Sequence, residues 1–92
     1  MSALPGGQPV PVFNCVVHIA PPAADGTIVA CVANLAGIEC RGRSEREALV
    51  QVVAAFKAAV GRYHAAGEPI PWLSESTSLA PGETERLIAV HL

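Results

Sequence analysis

Two apolar segments near the start of the chain constrain the fold most. Residues Val10–Ala20 read VPVFNCVVHIA and stop at Pro21-Pro22, and Thr27–Leu35 read TIVACVANL. Both are rich in β-branched residues and free of internal breakers, apart from Pro11 at the edge of the first, so both are predicted strands. Asp25-Gly26 between them is a turn signal, so the pair is expected to form an antiparallel hairpin. Alternation puts Phe13, Cys15, Val17 and Ile19 on one face of the first strand and Val12, Asn14, Val16 and His18 on the other. In the second strand Val29, Cys31, Ala33 and Leu35 oppose Ile28, Ala30, Val32 and Asn34. The first strand has one wholly apolar face, and the second is apolar on both faces at its middle. A sheet built on this hairpin therefore needs cover on both sides.

A single helix is available to supply that cover. Ile38–Arg41 is expected as a short third strand ended by Gly42, and Ser44 then opens a helix over Glu45–Ala66. Ser44 and Glu47 have the spacing of a capping box, in which the Ser44 hydroxyl accepts from the Glu47 N–H and the Glu47 side chain accepts from the Ser44 N–H. Glu45 and Glu47 suit the positive end of the helix dipole. Leu49, Val52, Val53, Phe56, Val60 and Tyr63 form the apolar stripe, and Gly67 with Pro69 stops the helix. Such a helix would be about 33 Å long at ~1.5 Å per residue. Its back is alanine-rich (Ala54, Ala55, Ala58, Ala65, Ala66), which favours helix whether or not that side is covered. Glu68–Glu85 has no clear periodicity and is expected to lead to a last strand, Arg86–Leu92. The expected fold is α+β, with an antiparallel sheet of three to four strands and one long helix on one face, in the order β-β-β-α-β.

The chain has 92 residues, 51% hydrophobic and 15% charged. That suits one folded domain spanning residues 1–92, with residues 1–9 as a flexible Gly- and Pro-rich lead-in. A domain of this size buries only about 60–65% of the surface its unfolded chain exposes. So much apolar surface in so small a domain points to a partner surface. Six Lys and Arg against eight Asp and Glu leave no basic stripe for general nucleic-acid binding, and a mildly acidic chain suits a basic partner. No apolar run approaches the ~20 residues of a membrane span. The start of the chain lacks the basic and apolar regions of a signal peptide, so a cytoplasmic location is expected. Three cysteines (Cys15, Cys31, Cys40) without a CxxC pattern argue against a disulfide framework.

The candidate chemical groups are few. Cys15 and His18 look like half a metal site, but a spacing of three on a strand sends their side chains to opposite faces. His18, His64 and His91 have no nucleophile or carboxylate at an obvious partnering offset, and no catalytic, metal or cofactor site is expected. Cys40, beside Arg41 and Arg43 and close to a helix N-terminus, is the best candidate for a reactive thiol, with a plain loop cysteine as the favoured reading. Arg41, Arg43 and Arg46 could contact an anion at the helix start, although Glu39, Glu45 and Glu47 offset their charge. Trp72 is either an interface anchor or a cap on the end of the helix core.

The segment DGTIVACVANLAGIECRGRSEREAL (Asp25–Leu49), with Ile70-Pro71-Trp72 after the helix, resembles the HicB-like antitoxin family. Asn34-Leu35 and Gly37 match that family's bend. Gly42 and Ser44 match its helix approach, Glu47-Ala48-Leu49 its helix start and Ile70-Pro71 its exit. Ala33 and Ala36 stand where the family has prolines, Ile38 where it has cysteine and Arg43 where it has aspartate. The likeness runs from about Val10 to Trp72. It implies a single antiparallel sheet with one helix on one face, self-association, and neutralisation of a small basic HicA-like ribonuclease by occlusion. Full-length members also carry a C-terminal DNA-binding domain. This sequence ends at Leu92 without room for one, so direct DNA binding is not expected. Val12, Val16, Ile28, Val32 and Trp72 are the expected contacts for a homodimer, a larger assembly or a toxin. The rival readings are an orphan oligomeric scaffold without a toxin, and a small RNA-processing or catalytic protein using Cys40 or His18 with Arg41 and Arg43.

Overall fold

The computed structural model describes residues 11–73 and 79–92. The lead-in expected over residues 1–9 lies outside them, as does part of the segment between helix and last strand. The elements run β1 (Val12–Ile19), β2 (Ile28–Val32), β3 (Glu39–Gly42), α1 (Glu45–Ala66) and β4 (Thr84–His91). They form one antiparallel sheet, ordered β3-β2-β1-β4, with the helix on one face. The fold is α+β, as the alternation and the single helical stripe predict.

The hairpin closes at the acidic-glycine turn. Gly26 has φ +86°, a left-handed conformation that glycine adopts without steric cost. The Asp25 carboxylate accepts from the Thr27 N–H at 2.9 Å, and this bond holds its carboxyl below the usual carboxylate range. Strand β2 is shorter than the apolar run suggests. After Val32 the chain bends away, and the Asn34 side chain takes over the ladder. Its Oδ1 accepts from the Val16 N–H at 3.1 Å, and its Nδ2 donates to the Asn14 carbonyl at 2.8 Å. One amide thus satisfies the two β1 backbone groups that β2 abandons.

The helix occupies the predicted residues. Ser44 is the N-cap and its hydroxyl accepts from the Glu47 N–H at 3.1 Å. The return bond differs from the expected capping box: the Glu47 carboxylate accepts from the Arg43 N–H at 3.3 Å, one residue earlier than Ser44. Gly67, at φ +69°, ends the helix. Its N–H donates to the His64 carbonyl and the Glu68 N–H to the Tyr63 carbonyl, the two bonds of a glycine C-cap.

The core lies between the helix and one side of the sheet. Ala48, Val52, Phe56 and Val60 are fully buried against Cys15, Val17, Ile19, Ala30, Val32 and Val90. The alanine-rich back of the helix carries no second layer among the described residues, and Val50 is exposed there. None of the described helices is long and apolar enough to cross a membrane.

Two glycines give opposite expectations. A Cβ on Gly42 would sit 2.7 Å from the Ala48 backbone nitrogen, whereas one on Gly61, inside the helix, meets nothing. Gly42→Ala should destabilise the domain by about 1–3 kcal/mol through overpacking, and Gly61→Ala should stabilise it by about 0.5–1 kcal/mol through helix propensity. Urea denaturation of both variants checks the sign of each.

Candidate site on the helix-free face

The side of the sheet opposite the helix is built by the alternate residues of all four strands. Cross-strand register aligns Val12 with His91, Asn14 with Ala89, Val16 with Leu87 and His18 with Glu85. It also aligns His18 with Cys31, and Cys31 with Glu39. Directly opposed residues share a face, so these residues form one surface. Its apolar members are not hidden: Leu87 is 72% exposed and Val12 is 50% exposed. Val16, directly opposite Leu87, is half-buried and Ala89 is exposed.

Of the expected contacts, Val12 and Val16 lie on this face. Ile28 and Val32 do not. Val17 stands opposite Val32, and Ile28 lies two pairs further along the same side of β2, so both pack under the helix with the core. The physical reason is register. The hairpin connection decides which side of β2 continues the Cys15–Val17–Ile19 face, and alternation alone leaves that choice open for a strand apolar on both sides. Trp72 sits at the helix side as well. Its ring centroid is 6.0 Å from those of Phe13 and Phe56. It closes the end of the core and remains 40% exposed.

The polar row on the open face was not foreseen. His18 is buried, 4% exposed, with Nε2 3.0 Å from the Glu85 carboxylate. The two residues are far apart in sequence, and strand pairing brings them together. Cys31 follows His18 on the next strand, so a carboxylate, an imidazole and a thiol stand in line across β4, β1 and β2. The thiol is not primed for attack. Burial pushes it up, and the carboxylates of Glu83 and Glu39 push in the same direction, which keeps it protonated at neutral pH.

The other candidates are dispersed. Cys15 is in the helix-side core, on the opposite face from His18. Cys40 faces the helix and packs against the core. Arg41 is on the open face, across from Val29 and close enough to Asp25 to help hold that carboxylate charged. Arg43 and Arg46 are exposed before and within the first helical turn, and the sheet stands between Arg46 and Arg41. Glu45 does not pair with these arginines; it binds Arg86 of β4, with Nη2 to Oε2 at 3.0 Å. Among the described residues no three His, Cys, Asp or Glu side chains group closely enough to hold a metal ion. A cavity of about 320 Å³ lies near the end of the helix, lined by Leu35, Ile38, Ala59, Arg62, Tyr63 and Leu73 among others.

Burial drives the Cys15 thiol up to about 11. The folded state therefore keeps its proton while the unfolded chain ionises near 9, so this group's stabilising contribution is complete below pH 9 and is lost as pH rises toward 11. In denaturant melts the stability gap between wild type and Cys15→Ala should narrow across that window. A gap that stays constant would show that Cys15 does not titrate this way. Comparison with protein-family models, with curated proteins and with solved structures finds no match to this chain.

Proposed function

We propose that this chain is a non-catalytic protein-binding domain whose contact surface is the helix-free face of its sheet. Leu87 carries the reading. A leucine 72% exposed stands directly opposite the half-buried Val16, with the half-exposed Val12 further along β1 on the same face, and no second layer covers them among the described residues. Exposed apolar surface rimmed by polar residues marks interaction sites. Glu39 and Glu85 lie on the same face, with Arg41 as its one described arginine, and on a chain of formal net charge −2 this balance favours a basic partner. In its specific form the reading is HicB-like: the domain self-associates and covers the working face of a small basic HicA-like ribonuclease. Neutralisation then needs occlusion alone, and no side chain of this domain takes part in a reaction.

Light scattering on the purified chain, alone and mixed with a small basic ribonuclease encoded beside it, tests this. More than one copy in the free state and a mixed complex with the ribonuclease are expected. Val12→Glu and Leu87→Glu should each weaken the mixed complex by about tenfold or more, the effect of losing ~1.4 kcal/mol at an interface. A strict monomer that binds nothing would overturn the proposal. An assembly that ignores the ribonuclease would remove the antitoxin role and leave a scaffold.

A further inference from the structure

Strand β4 is an edge strand whose outer side is open among the described residues. Hydrogen-bond parity fixes which of its residues face outward. The Leu92 N–H donates to the Pro11 carbonyl, and in this register the bonded pairs recur at every second residue. Thr84, Arg86, Ile88 and Val90 therefore bond to β1, and Glu85, Leu87, Ala89 and His91 turn their backbone N–H and C=O groups outward. The other side of β1 agrees: Val16 and Ala20 bond to β2, through Ala33 N–H to Val16 O and Ala20 N–H to Val29 O.

This edge lacks most of the features that block strand addition. It is eight residues long, contains no proline or lysine, and pairs with β1 from end to end without a bulge. Its two charged side chains are both engaged within the domain, Glu85 with His18 and Arg86 with Glu45. The opposite edge, β3, has only four residues, with Glu39 and Arg41 among them. The helix lies mainly over β3 and β2, away from the β4 edge.

We infer that a second copy of this chain docks along β4 in antiparallel register, related by a two-fold axis at Ile88. The inference rests on the protein-binding reading above and specifies how the copies meet. The edge is self-complementary in this register. Glu85 stands opposite the second copy's His91, and Leu87 opposite its Ala89, on the open face. Ile88 meets its own equivalent on the helix side. Two sheets become one, and the apolar rows of two open faces join into a single surface. The exposed Leu87 is thereby half covered at the seam, while Val12, four positions away along the neighbouring strand from the residue that pairs with Leu87, stays free for a partner.

Sedimentation velocity on the full chain tests this. Wild type should run as a two-copy species. Ala89→Pro removes one outward N–H, leaves the β1 ladder intact, and should run as a monomer with an unchanged far-ultraviolet circular dichroism spectrum. His91→Glu keeps every backbone group and sets like charges opposite one another at both symmetric pairs, so dimer affinity should fall about tenfold. If Ala89→Pro fails to fold, His91→Glu decides alone. A dimer that persists in folded Ala89→Pro or is indifferent to His91→Glu, yet is lost in Val12→Glu, would overturn edge docking and leave the protein-binding reading standing. A wild-type monomer that still captures the basic ribonuclease would do the same.

Discussion

Val17 and Val32 stand opposite each other in the β1–β2 ladder, and that register decides which side of every strand the helix can dry. With this pair fixed, Ile19 meets Ala30, Cys15 and Val17 meet the helix, and Ala30 and Val32 complete the floor under Val52 and Phe56. A slip by one residue would turn Val29 and Cys31 toward the helix and expose Val32. The Asn34 amide pins the register from the other end, because its bonds to Val16 and Asn14 hold only while β2 departs where it does. The rest of the sheet inherits the choice: Cys40 and Gly42 follow onto the helix side, and Gly42 leaves room there for the helix backbone to approach.

The same register explains what could and could not be read from the residues. The helix was legible in detail, because a Ser–Glu spacing, a stripe at intervals of three and four, and a terminal glycine are local signals. Ala48 was the exception in its packing: a small residue in a stripe of large ones gives no periodic signal, yet it is fully buried where the helix lies closest to Gly42. The β1 faces were legible, because one is purely apolar. The β2 faces were not, because both carry apolar residues, and Ile28 and Val32 were therefore expected on the surface that they leave. The open-face row of β4 was present in the alternation of Leu87 and Ala89 with Ile88 and Val90, but which set faces outward depends on pairing with β1. The His18–Glu85 contact is similarly non-local: it exists only because Ile19 meets Thr84 and the ladder runs on from there.

Two short stretches outside the regular ladders are held by side chains. Ala33 and Ala36 fall in the bend where the chain leaves β2. There the Asn34 amide orders the backbone through its bonds to Val16 and Asn14 of β1. At the approach to the helix the Glu47 carboxylate accepts from the Arg43 N–H, while the Ser44 hydroxyl accepts from the Glu47 N–H. Side-chain bonds to the backbone thus fix the chain where strand pairing and helix bonding do not reach.

His18 shows what the open face costs the isolated domain. An imidazole with 4% exposure needs a partner for its ring nitrogens, and here one is the carboxylate of a residue on the edge strand. The polar row is therefore tied into the sheet by Glu85, and the next residue of β4 on the same face, Leu87, is left open to solvent, as is Val12 further along β1. The polar row pins the β1–β4 register that brought it together, the thiol beside it is held protonated, and the apolar surface that one helix leaves uncovered stays in contact with water, where each exposed apolar group is unfavourable.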